Sequence, residues 1–168
     1  MSTAYSTEKR SRAAKWGWRL RKEGPSPEML AAMRFRMAMR AADPRLARLY
    51  TCDVAESVQH LALAAFPGST ATVDAIAVAR LYANGAATDK ERLAAQQPIR
   101  KLFGQIENSR YHEDPAACAL QAAAFTLDKL LIWVVEWGLH WADTAANPAC
   151  KGRLDYARHS PVLEAMAR

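Results

Sequence analysis

The tetrapeptide Thr88-Asp89-Lys90-Glu91, placed a few residues after Tyr82-Ala83-Asn84-Gly85, restricts the fold of this chain more than any other stretch. A Thr at a helix N-cap accepts from the amide three residues on, while Glu91 reaches back to the Thr88 amide. Asn84 or Gly85 supplies the left-handed conformation that closes the preceding helix. One helix therefore ends and another begins almost at once. The same punctuation recurs at Ser26-Pro27, Asp43-Pro44, Asp114-Pro115 and Ser160-Pro161, each a capping residue followed by a proline suited to the first helical position.

No run shows sustained period-2 alternation of β-branched residues, which leaves little for strands. Many of the apolar residues are Ala, and Ala-rich helices approach closely. At 168 residues the chain can bury a core without disulfides or a structural metal. These features predict an all-α protein, a single-domain helical bundle or irregular helical array of six to seven helices. Residues 1–24 read as a basic N-terminal helix or arm, and 25–168 as the α-helical domain.

The spacing predicts a first helix from about Thr7 to Lys22 and a second from Pro27 to Ala42 with Met29, Met33 and Met37 as an apolar stripe. The third, from Pro44 to about Ala65, carries Leu46, Leu49, Tyr50, Val54, Val58 and Leu61 at core spacing and stops at Phe66-Pro67-Gly68. A fourth, about Thr72 to Ala83, presents Val73, Ile76, Ala77 and Leu81 or Tyr82. A fifth opens at Thr88, and Pro98 should kink or break it. From Pro115 a long spine helix should run past Trp141, with Gly138 as a point of bending. One short helix is expected after Pro161.

The net charge of +6 is unevenly distributed: residues 1–48 carry +8, and 49–168 carry −2. A basic segment beside a nearly neutral body suits contact with phosphates or with an acidic protein. Cys52, Cys118 and Cys150 are far apart, odd in number and outside any CxxC pair, which fits a reduced, cytoplasmic protein. The longest strongly apolar run, Leu130 to Val135, is too short to span a membrane, and no secretory leader is expected.

The strongest binding signal is the basic, Trp-containing N-terminal segment with the Met/Arg helix that follows. Its candidate partner-binding residues are Lys9, Arg10, Arg12, Lys15, Trp16, Trp18, Arg19, Arg21 and Lys22, then Met33, Arg34, Arg36 and Arg40. Lys and Arg neutralise phosphates or carboxylates, and Trp anchors an interface or stacks on a base. Trp133, Trp137 and Trp141 at i, i+4, i+8 form one ladder that reads as core, the alternative being a ligand groove or a partner hot spot. Glu136, His140 and Asp143 share a face at a spacing that can supply metal ligands or an acid–base pair, and Asp53, Glu56 and His60 repeat the pattern. Neither set matches HExxH, and helical Glu–His pairs are common surface interactions. His112 and His159 stand alone. No phosphate-binding glycine loop or nucleophile elbow is present, so no catalytic, cofactor or metal residue is assigned.

The string Ile76-Ala-Val-Ala-Arg-Leu-Tyr-Ala-Asn-Gly-Ala-Ala-Thr-Asp-Lys-Glu-Arg-Leu-Ala-Ala95 resembles a pattern in Ala-rich helical proteins of bacteria and their phages, some loosely labelled immunity-like. Arg45-Leu46-Ala47-Arg48-Leu49-Tyr50-Thr51-Cys52, with His60, is similar to the preceding helix of that group. Cys is often clustered in that helix, whereas here it holds only Cys52. The likeness spans about residues 44–127 and implies a helical fold with no catalytic residue to carry over.

The reading is a non-catalytic binding protein acting through its basic N-terminal surface. The phage-like resemblance and small size suggest an inhibitor or accessory factor in a bacterial conflict system, an anti-defence protein such as an anti-CRISPR, or an immunity protein. Its partner would be a protein with an acidic surface or a nucleoprotein complex. Two alternatives are a nucleic-acid-binding protein using the same basic residues, and a small metal-dependent enzyme built on Glu136, His140 and Asp143. No membrane partner is expected, and flat Ala-rich faces permit a homo-oligomer.

Overall fold

Short-range hydrogen bonds start most helices of the computed structural model, which describes residues 24–106, 113–147 and 154–167. The helices are α1 (Pro27–Ala41), α2 (Pro44–Ala65), α3 (Ala71–Ala83), α4 (Asp89–Phe103), α5 (Pro115–Thr126), α6 (Leu131–Ala146) and α7 (Tyr156–Ala165). The fold is all-α, with no strand among the described residues. The segment expected to form a helix from Thr7 to Lys22 lies outside them.

Ser26 accepts from the Met29 amide, Asp43 from Leu46, and Asp114 from Ala116 and Ala117, each just before a proline. At Thr88 the expected reciprocal pair is present: the Glu91 amide donates to the Thr88 hydroxyl at 3.3 Å, and the Thr88 amide donates to Glu91 at 2.7 Å. Gly85, at φ 71°, closes α3.

Three expectations need correction. Pro98 does not end α4, which continues to Phe103. The carbonyl it deprives of a donor is that of Ala94, and both residues are exposed, so water can replace the missing amide. Ser160-Pro161 is not a helix start: α7 begins at Tyr156 with Asp155 accepting from the Arg158 amide, and Pro161 lies inside it. The long spine is two helices, α5 and α6, separated at residues 127–130.

Tertiary bonds hold that break open. The Arg48 guanidinium donates to the carbonyls of Thr126 (3.1 Å), Asp128 (2.7 Å) and Lys129 (3.4 Å). Arg92 donates to the Leu127 carbonyl, and Asp128 accepts from the Leu130 amide at 2.9 Å. Both guanidiniums also lie over the Tyr82 ring, at 5.3 and 5.4 Å from its centroid. The carbonyls that a continuous helix would satisfy internally are thus bound by two buried cations, at the negative end of the α5 dipole.

The core forms where α2 packs against α3, α5 and α6, and α5 against α6. Small side chains set these contacts: Ala47, Ala55 and Ala62 of α2, Ala119, Ala122 and Ala123 of α5, and Ala142 and Ala145 of α6 are all buried. A Cβ built on Gly138 would stand 2.5 Å from Thr51 Cγ2, so this glycine permits close approach of α6 to α2 rather than a bend. Leu120, Leu127, Leu139, Val134 and Val135 fill the spaces between, each worth about 1.5–3 kcal/mol when fully buried. α4 leans on α3 and α5, and α1 pairs with α7.

The faces turned inward differ from those expected. In α2 Val54 and Val58 are buried but Leu46 is exposed; in α3 Ile76 is buried while Val73 and Leu81 are exposed. α1 buries Phe35, Ala38 and Met39 instead of the Met29–Met33–Met37 stripe. Phe35 meets Tyr156 of α7 edge-on at 5.3 Å, an aromatic contact that fixes which face of α1 turns inward. Among the described residues no helix is long and apolar enough to cross a membrane.

Candidate contact surface

Turning Phe35 inward leaves the opposite face of α1 to solvent. Leu30, Met33 and Met37, at i, i+3, i+7, are 51%, 55% and 69% exposed. They line one side of a groove of about 480 Å³ whose other side is Glu164 of α7 and Ala167 just after it. Arg34 stands at its edge and is held by Glu164 through two bonds of 2.5 and 2.7 Å. Arg36 reaches Glu136 of α6 at 3.3 Å, and Arg40 is exposed.

Of the residues assigned to partner binding, the structure thus places Met33, Arg34, Arg36 and Arg40 on one helix, with Met33 and Arg34 on the same groove. Lys9, Arg10, Arg12, Lys15, Trp16, Trp18, Arg19, Arg21 and Lys22 lie outside the described residues. Arg34 and Arg36 each share their charge with a glutamate of the chain itself, so α1 is less electropositive than its sequence.

A second exposed apolar face runs along α6. The expected Trp ladder is not all core: Trp141 is 5% exposed, but Trp133 and Trp137 are 46% and 41% exposed, beside exposed Ile132. A helix advances 100° per residue, so residues four apart drift by 40° and the third Trp turns into the core while the first two stay out. Trp137 stacks on Phe125 at 6.2 Å and meets the His140 ring at 5.3 Å. Phe125 in turn lines a groove of about 310 Å³ between α4 and α5, with Ile99 and Phe103 below and Gln96, Arg100 and Asp128 around it. The competing stripe Val134, Val135, Gly138, Leu139 and Ala142 faces the core, because its small residues allow close helix approach.

The acidic and histidine sets separate. Glu136 pairs with Arg36, His140 sits between the Trp137 and Trp141 rings, and Asp143 turns inward. Asp53 and Glu56 both bind Arg80, at 2.7 and 2.5 Å, while His60 is exposed. That guanidinium holds the Glu56 carboxyl below its usual range. Among the described residues no group of three His, Cys, Asp or Glu is placed to hold a metal ion. Burial pushes the Cys52 thiol up to about 12 and Cys118 up to about 11, which makes both poor nucleophiles.

His159 does not stand alone. Fully buried, it bonds through Nε2 to Asp143 at 2.9 Å and through Nδ1 to the Tyr50 hydroxyl at 2.7 Å. Asp143 also accepts from the Asp155 amide at 3.0 Å and from Arg158 at 3.2 Å. The order carboxylate, imidazole, hydroxyl is that of a nucleophilic relay, yet burial raises the Tyr50 phenol and leaves it a weak nucleophile. Neither groove is lined by any of the three. The network ties α7 to α6 and α2. The sequence around His159 offered no hint of it, since the partner carboxylate, Asp143, lies on the preceding helix.

Comparison with protein-family models, curated proteins and solved structures gives no match. The likeness to Ala-rich bacterial and phage proteins therefore rests on the sequence strings alone.

Proposed function

We propose that this chain is a non-catalytic binding protein that engages a protein partner with an acidic surface, using its basic N-terminal segment together with the Met/Arg face of α1. The observation that carries this reading is the outward stripe of Leu30, Met33 and Met37 beside Arg34, on a helix that buries Phe35, Ala38 and Met39 instead. Flexible, polarisable Met side chains adapt to an apolar anchor, while flanking arginines supply orientation and rim contacts. In a bacterial conflict system such a protein would act as an inhibitor or accessory factor, of the anti-defence or immunity type, by occupying a surface.

Affinity capture from a bacterial extract with the full-length chain, under nuclease and a salt series, tests the reading. A protein retained after nuclease, and lost with Met33→Asp plus Met37→Asp while helical circular dichroism is unchanged, is the expected result. Capture of nuclease-sensitive material alone, weakening steeply with salt, would replace it with binding to nucleic-acid phosphates.

A further inference from the structure

We infer that α1 and α7 form a clasp that opens as one unit from the body made by α2–α6, with the Asp143 carboxylate as its catch. Among the described helices the close packing of α1 is with α7, and that of α7 with α1, whereas α2, α3, α4, α5 and α6 pack closely on one another. The two clasp helices are joined by the Arg34–Glu164 pair and by Phe35 against Tyr156.

The clasp shares the apolar core of the body through Phe35, Met39 and Leu163, and its polar attachment converges on one side chain. Asp143 of α6 takes bonds from the Asp155 amide, the Arg158 guanidinium and the His159 imidazole, all at the start of α7. His159 passes the connection on to Tyr50 of α2. At the far end of α7 the Asp43 amide donates to the Met166 carbonyl at 3.1 Å, next to the α1–α2 junction. Arg36 to Glu136 adds one exposed pair. Opening uncovers Phe35, Met39 and Leu163, which are buried in the closed form, and moves the outward Met face of α1 with them. The device is a property of the fold and stands whether or not α1 meets a partner.

Hydrogen–deuterium exchange of the full-length chain, followed by peptide in urea below the unfolding midpoint, tests this. In the unaltered protein, α1 and α7 amides exchange together, through an opening with a weaker urea dependence than that of α2, α5 and α6. Asp143→Asn should speed exchange in α1 and α7 about a hundredfold, the scale of losing two charge-assisted hydrogen bonds, while α2, α5 and α6 still exchange through a separate opening of stronger urea dependence. Tyr50→Phe, which removes only the hydroxyl, should give a smaller rise in the same two helices. The unaltered protein and Tyr50→Phe decide the matter if Asp143→Asn does not fold. A single opening shared by α1 to α7 in the unaltered protein, or exchange in α1 and α7 that neither variant alters, would overturn the inference.

Discussion

At Gly138 a missing Cβ sets the distance between α6 and α2. Gly138→Ala gains about 1 kcal/mol of helix propensity but pushes a methyl into Thr51 Cγ2, an overpacking cost of about 1–3 kcal/mol. The expected outcome is a net loss in urea unfolding, reversed when Thr51→Ser deletes the obstructing methyl and keeps the hydroxyl bond to Ala47. The thiols offer a second check. Cys52 and Cys118 should resist alkylation at pH 8 in the folded protein and react once urea exposes them, because burial disfavours both thiolates. The sequence shows a glycine in a helix and three scattered cysteines. It does not show which neighbour stands opposite each, and that neighbour determines the consequence.

At the scale of elements, the break between α5 and α6 depends on cations from α2 and α4. Arg92→Met should destabilise the protein by about 2–3 kcal/mol, since it leaves the buried Leu127 carbonyl with its remaining bond to Gln96 at 3.4 Å. Arg45→Met, at an exposed bond to Asn84, should stay within about 0.5 kcal/mol in the same urea titration. In α4, Pro98→Ala restores an amide to the exposed Ala94 carbonyl and should raise stability by about 1–2 kcal/mol. Helix starts at Ser26, Asp43, Thr88 and Asp114 were legible because each capping bond spans two or three residues. The end of α5 was not, because nothing within Ala124-Phe125-Thr126-Leu127 forbids a helix.

For the whole molecule, paired carboxylates set the acid limit of stability. Arg92 chiefly, with Tyr82 and Lys129, holds Asp89 below its usual range, Arg80 does so for Glu56, and the Thr88 amide for Glu91. Each binds its proton more weakly when folded, so each adds stability above its unfolded pKa and loses it as pH falls through the folded value. The urea midpoint should therefore decline from about pH 5 toward pH 2, and Asp89→Asn should make that decline shallower. The candidate contact surface divides in the same way as the fold. Met33, Arg34, Arg36 and Arg40 could be named from an Arg-rich helix, but the glutamates that pair two of those arginines come from α6 and α7. By itself the sequence determined the helical class, most helix starts and the uneven charge, since caps, prolines and composition act over a few residues. Only the tertiary structure decided which faces are buried, where the spine divides and what Asp143 and His159 do. Those outcomes rest on partners such as Arg48 and Asp128, 80 positions apart, that meet only when the chain folds.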